Sequence, residues 1–413
     1  MNKKYDALPV NIYITTHENI KRLNPRIVFI FAIASGISVA NLYLSQPLLD
    51  SIAKTFHCNT ISSGFIVTFT QIGYVLGLMF LVPLGDIIER KHLILSVLFF
   101  LVLSLIAATF SPSIIIFILS SLAIGLTSVV AQILVPFSAT LALNYERGKV
   151  VGQVMSGLLT GILLARTLSG MISSLLGWRF VFGIASIFIT ALFILLSINL
   201  PENKVDTRLN YVQLLRSVWE FARTEPILRK RALYGALVFA DFSVLWTSLT
   251  FILSRPPYGY SDAVIGLFGL IGASGVISAN IAGRMADRGY ARSATGFFVS
   301  LILISFMLAA MGATSLLSLV MGIILLDFGV QGTHILNQSE IYRLRPEARS
   351  RLTTAYMMSF FIGGSIGSAT SAAIFSYEGW AGVCALGAVY SVTAIIIWAT
   401  DRHIYSLKPL TRV

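Results

Sequence analysis

Apolar runs separated by short polar breaks recur along the whole chain. As helical spans they cover 27–49, 61–84, 92–110, 115–143, 150–175 and 179–199 in the first half. In the second half they cover 231–254, 263–286, 293–312, 315–341, 352–376 and 380–400. A helix crosses a bilayer with about 20 apolar residues, and each run reaches roughly that length. Six spans and six spans predict an all-α membrane protein, with twelve transmembrane helices in two pseudo-symmetric six-helix bundles over 27–199 and 231–400. The polar segments are the tails 1–26 and 401–413 and a central loop, 200–230. Within that loop, Tyr211–Arg223 has the pattern of an amphipathic helix lying at a membrane surface. The other connections are too short for a soluble domain.

The halves echo each other. Pro83-Leu84-Gly85-Asp86-Ile87-Ile88-Glu89-Arg90-Lys91 follows the second span, and Gly283-Arg284-Met285-Ala286-Asp287-Arg288-Gly289 closes the eighth, with the aspartates 201 positions apart. Gly177-Trp178 returns as Gly379-Trp380 at an offset of 202, and Glu146 returns as Glu347 at 201. Shared offsets argue for two homologous halves, the usual construction of a secondary transporter.

Composition agrees. Hydrophobic residues make up 56% of the chain and charged residues 12%, against about 25% charged in a soluble domain. The net charge of +12 would suit nucleic acid if it were clustered on one face, but its placement follows topology. With the N-terminus in the cytoplasm, 26 of the 30 Lys and Arg residues fall at cytoplasmic ends, three fall opposite (Lys54, Arg179, Arg255) and Arg166 lies within a span. That asymmetry is the positive-inside rule. It predicts cytoplasmic N- and C-termini in a bacterial inner membrane, and no nucleic-acid partner. Residues 1–24 carry no apolar core of a cleavable signal. Cys58 and Cys384 lie in different halves and form neither a disulfide framework nor a metal-site spacing.

These residues carry a family resemblance. The run around Asp86 resembles the signature between helices 2 and 3 of the major facilitator superfamily, roughly Gly-x-x-x-Asp-Arg-x-Gly-Arg-Arg/Lys. Asp86, Arg90 and Lys91 match it, while Val82, Ile87 and Glu89 depart from it. Gly283, Asp287, Arg288 and Gly289 match it in the second copy. The runs Asn41-Leu42-Tyr43-Leu44-Ser45-Gln46-Pro47-Leu48-Leu49 and Leu326-Asp327-Phe328-Gly329-Val330-Gln331 resemble the drug–proton antiporter and sugar-efflux branch. The Gly-Pro pair common in helix 5 of that branch is missing, and Arg166 stands in that span. The resemblance implies alternating access by two rocking bundles, a proton gradient as energy source with no cofactor, and a monomeric carrier. It also implies a cytoplasmic gate of Asp86, Arg90, Lys91, Gly283, Asp287 and Arg288. In it, Asp86 would face the start of helix 11 near Arg351, and Asp287 the start of helix 5 near Lys149. Free N–H groups at helix starts favour such carboxylates.

Charges inside a span cost about 2.5–3.5 kcal/mol on insertion scales, so they face a cavity or a partner. Arg166, Asp241 and Asp327 are the three. Asp327, Gln331, His334 and Gln338 fall at i, i+4, i+7 and i+11, one face of the tenth helix, and this stripe is expected to line water or substrate. Arg166 lies roughly 24 Å from the cytoplasmic start of its helix, and Asp327 roughly 21 Å from the cytoplasmic end of its own. Matching depth predicts an ion pair between the halves that protonation or substrate would break; the alternative is local pairing of Arg166 with groups such as Thr167 and Ser169. Asp241, Asp327 and His334 are the proton-carrier candidates, since a shielded carboxylate and an imidazole can both exchange protons near neutral pH. Asn41, Tyr43, Gln46, Gln132, Trp246 and Tyr356 add amide and aromatic surface to the cavity, joined by Gln331 and Gln338. Such a lining suits a neutral or amphipathic molecule such as a drug, sugar or metabolite.

There is no His-x-x-x-His or Cys-x-x-Cys, and the one Gly-x-Ser-x-Gly match falls inside an apolar span and not on a strand-to-helix turn. Gly363-Gly364-Ser365-Ile366-Gly367 lies in an apolar span and reads as helix packing. The expected activity is proton-coupled efflux of a small molecule, with proton-coupled import as the alternative and a non-transporting receptor as a distant third.

Overall fold

The computed structural model describes residues 24–143, 145–201, 210–344 and 349–400. Among them all regular structure is helical: α1 (Pro25–Ala40), α2 (Leu49–Phe56), α3 (Thr60–Phe80), α4 (Arg90–Thr109), α5 (Ile114–Thr127), α6 (Val130–Leu141), α7 (Arg147–Leu176), α8 (Trp178–Asn199), α9 (Tyr211–Thr224), α10 (Pro226–Leu253), α11 (Asp262–Leu267), α12 (Ala273–Asp287), α13 (Ala291–Ala310), α14 (Leu316–Tyr342) and α15 (Arg349–Thr400). Ten helices in the described residues are long and apolar enough to cross a membrane. The repeat marker Glu347, residues 1–23, 202–209 and the tail 401–413 lie outside the described residues.

Three expected spans are broken, each where the chain has a local reason. The first gives way to a turn after Ala40 and a 3₁₀ turn over Gln46–Leu48 before α2 resumes. Asn41 donates its side-chain amide back to the carbonyls of Ile37 (2.9 Å) and Ser38 (3.1 Å), capping α1. Pro47 lacks the N–H that would continue a helix. The fourth span divides into α5 and α6 at Ser128 and Val129, and the eighth into α11 and α12 across a 3₁₀ turn, Phe268–Gly272. Conversely, the last two spans run together as α15, bent at Gly379 with φ 65° and ψ −155°. Glycine takes that left-handed backbone without a Cβ clash, as Gly177 does at φ 97° between α7 and α8.

Packing sorts the helices into two sets. α1 packs on α7, α3 on α5 and α4 on α8; α10 packs on α15, and α14 on α12 and α13. Two seams join the sets, α3 against α15 and α7 against α11. The seams are related by the repeat. Gly64 meets Ala372 in one, and Gly170 meets Asp262 and Gly266 in the other. Gly64 and Gly266 lie 202 positions apart, as do Gly170 and Ala372. A side chain on either glycine would run into the opposing chain, so small residues here let the halves close. The glycines of α15 read as packing residues do pack: Gly363 and Gly367 sit on the backbone of Ala236 and Ala240 in α10.

The seams close one end of the molecule. There Asp262 accepts hydrogen bonds from Ser51 (2.7 Å) and Ser173 (2.6 Å), and Ser174 accepts from the Ala263 N–H (2.8 Å). Thr250 donates to the Gln46 carbonyl (2.6 Å). At the other end, a Cβ on Gly148, Gly152 or Gly283 would meet nothing within 4 Å. The central-loop helix expected at Tyr211–Arg223 is α9. It spans that end: Tyr211 donates to the Phe80 carbonyl of α3 (2.9 Å), and Phe221 lies 5.3 Å under the Arg351 guanidinium of α15.

Candidate functional site

The break after α1 brings Tyr43 and Gln46 against α7. Arg166, on α7 and 3% exposed, donates from Nε to Gln46 Oε1 at 2.6 Å. Its guanidinium lies over three rings: Trp246 at 4.0 Å, Tyr43 at 4.8 Å and Phe242 at 5.4 Å. Desolvated cation–π contacts contribute about 2 kcal/mol, which offsets part of the cost of burying this charge. Gly269 permits the approach of the α11–α12 connection, since a Cβ there would lie 2.8 Å from the Arg166 Cβ.

Asp327, on α14, is 5% exposed and within Coulombic reach of Arg166. It is held by the Trp246 indole N–H at 3.1 Å. The expected Arg166–Asp327 ion pair is absent among the described residues. Trp246 takes its place: the ring face carries the cation and the ring edge binds the carboxylate. The local alternative fails too, because Thr167 donates to the Gly266 carbonyl (3.0 Å) and Ser169 to that of Leu44.

Below this cluster, toward the open end, lies a layer of rings. Phe239 stacks on Phe360 at 4.0 Å and on Phe242 at 5.3 Å, and Tyr74 of α3 meets Phe361 of α15 at 4.4 Å. Amides brace it. Gln132 donates to Tyr74 Oη (3.1 Å), and Gln71 to Ser243 across the seam (3.0 Å). His334 Nδ1 lies 2.9 Å from Tyr356 Oη and the ring 4.7 Å from Phe360. Gln331 and Gln338 are half-buried and make no protein hydrogen bond among the described residues, so the α14 stripe is not a closed network.

A second buried polar group escaped the sequence reading. Arg231, 3% exposed, donates to Thr295 and Asn337 at 3.2 Å each and lies 3.7 Å from Glu340. Asn337 in turn reaches Tyr356. Arg231 follows Arg229-Lys230, so it reads as part of a loop's positive run; the polar pair Asn337 and Glu340 at i, i+3 on α14 was the available signal.

Other expected residues lie elsewhere. Asp241 is fully buried and points at α15, where it accepts from Ser391 at 3.0 Å; its Oδ1 has no partner among the described residues. It does not join Arg166 and Asp327. Asn41 caps α1 instead of presenting its amide to the cavity. Asp86 lies 3.6 Å from Arg90 of its own bundle, and Arg90 also binds the Gly85 carbonyl and Thr140. Lys91 is half-buried, whereas Asp287, Arg288 and Lys149 are exposed, and Asp287 and Lys149 form no ion pair among the described residues. A hollow of about 370 Å³ at the closed end, lined by Lys54, His57, Cys58 and Arg255 among others, shares no residue with the Arg166 cluster. No group of three or more metal-ligating side chains occurs among the described residues.

Residues 31–368 match the family model of the Major Facilitator Superfamily. The chain belongs to that superfamily. The transporter YgaY of Escherichia coli O157:H7 is 50% identical over 381 residues, covering 92% of this chain and 97% of that one. A Streptomyces coelicolor protein described as a probable transporter is 30% identical over 370 residues, covering 88% and 84%. Among solved structures, a bacterial homologue of the human lysosomal transporter Spinster, captured inward-facing and occupied, aligns with a TM-score of 0.73 at 13% identity, over 91% of this chain and 96% of that one. This major facilitator is therefore a multi-pass membrane transporter with bacterial relatives, not an enzyme. Its substrate is a small molecule and its surroundings are lipid.

Proposed function

We infer that the protein is a proton-coupled secondary carrier that exports a small neutral or amphipathic molecule in exchange for protons, by alternating access. One observation carries this reading: a buried cation and a buried carboxylate, Arg166 and Asp327, meet through Trp246 where the two bundles abut. Intramembrane charges that survive at a moving interface mark ion and substrate pathways. Twelve crossings follow if α1 with α2 counts as one and α15 as two. With the basic ends in an inner-membrane cytoplasm, the closed Asp262 end faces outward and the conformation is inward-open. The carrier works as a monomer.

One feature favours a second reading, import together with protons. Asp327 is held by a neutral donor and not by Arg166, so protonating it removes no ion pair and leaves the guanidinium in place. Sealed proteoliposomes of known orientation under an imposed pH gradient separate the two. Proton flux opposite to substrate flux, lost in Asp327→Asn, is the expected result. Flux in the same direction establishes import. Substrate movement indifferent to the gradient refutes proton coupling.

A further inference from the structure

The Arg166 guanidinium has more donors than the protein uses. Nε is spent on Gln46. Nη2 is buried, and neither Nη2 nor Nη1 has an acceptor among the described residues. The contacts with Tyr43, Phe242 and Trp246 do not replace acceptors, because a ring attracts the positive charge and leaves the in-plane N–H groups unpaired. An unsatisfied donor on a buried charged group is costly. Asp327, the nearby carboxylate, is turned to the Trp246 N–H and forms no ion pair with Arg166. The outer edge of the fork is left in a site walled by aromatic rings.

We propose that Arg166 is the docking residue for the substrate's own anionic group, and that the substrate is an organic monocarboxylate with an apolar or aromatic body. A carboxylate offers two coplanar oxygens that match the guanidinium fork in a way no single-point acceptor does. The rings around Arg166 and the stacked Phe239, Phe242 and Phe360 provide flat apolar surface for the rest of the molecule. Charge sets the limit of one. With Asp327 protonated, the single guanidinium balances one carboxylate and not a dianion, and an unpaired buried charge is expelled. The proposal rests on the carrier reading and narrows its amphipathic class.

Binding can be read without a gradient, so the test is independent of proton coupling. The purified full chain in detergent micelles is titrated calorimetrically with matched probes: benzoate, benzamide and benzylammonium, then phenylacetate and cyclohexanecarboxylate with their amides. The expected result is a carboxylate preference of about tenfold or more over the amide in the unaltered protein. Arg166→Gln should reduce that preference to about twofold or less, and Arg166→Lys, which keeps charge without the fork, should fall between. The comparison among probes needs no variant, so it stands even if Arg166→Gln does not fold. Equal or tighter binding of the amide or amine overturns the proposal. So does a preference that survives Arg166→Gln, or the absence of binding by every carboxylate tested. Proton-coupled flux of an uncharged substrate would leave the carrier reading intact and refute this inference alone.

Discussion

The indole of Trp246 presents its face to Arg166 at 4.0 Å and its N–H to Asp327 at 3.1 Å. Replacing it with phenylalanine keeps a ring under the cation and deletes only the donor. A hydrogen bond to a charged group contributes about 1.5–3 kcal/mol. Trp246→Phe should therefore lower thermal stability modestly and impair transport, while Trp246→Ala, which also removes the cation–π surface and leaves a void, should be clearly less stable. Thermal unfolding of the two purified variants checks the order. Asp241 and Asp327 should also separate. Asp241 faces Ser391 away from the cluster, so Asp241→Asn should retain most proton-linked flux, and Asp327→Asn should lose it. Equal loss in both would show that Asp241 serves the coupling from its place against α15.

At the scale of elements, the seams are the moving parts. Gly64 lies against Ala372 and Gly266 against Arg166 and Gly170, which means that a larger residue opposes closure of this end without harming a conformation in which the seam is parted. Gly64→Val should shift the population toward opening at the Asp262 end, and Asp262→Ala should do the same by removing the acceptor shared by Ser51 and Ser173. Thr250→Cys reports the change, because Thr250 of α10 is buried at the closed end against the Gln46 carbonyl. In a background lacking Cys58 and Cys384, its labelling by an impermeant maleimide should speed up on the order of tenfold, the population shift produced by about 1.4 kcal/mol. Unchanged labelling in both variants would show that the seams do not control access.

Over the whole molecule, the indirect contact between Arg166 and Asp327 makes a prediction about charge. A direct ion pair would tolerate exchange of its ends, so Arg166→Asp with Asp327→Arg would restore function lost in the single variants. With Trp246 between them, the exchanged arginine would face an indole N–H and the exchanged aspartate the side-chain oxygen of Gln46, both repulsive pairings. The double variant should transport no better than either single one. Rescue would mean that the charges meet directly in another state of the cycle. The same geometry explains how far the site could be read from the chain. Arg166 and Asp327 were conspicuous because charge is rare in apolar spans, and their equal depth followed from helical rise. The order of groups between them was not available, because Trp246 looks like any aromatic residue on an apolar helix until α10 is placed between α7 and α14.

The one-dimensional pattern determined the spans, the doubling of the chain and the asymmetry of charge. Each reflects a cost imposed by the bilayer residue by residue: buried backbone must be helical, and positive loops stay on one side. The repeat even contained the seams, since Gly64 and Gly266 share the offset of Gly177 and Gly379, although nothing in the sequence says which glycines face the other half. Tertiary structure decided the rest. It broke the first span so that Tyr43 and Gln46 reach Arg166, turned Asn41 back on its own helix and sent Asp241 to Ser391. It also gave Asp327 to Trp246 and left the Arg166 fork open. Those outcomes depend on which faces of different helices meet, and a helical face acquires a partner only when the bundles pack.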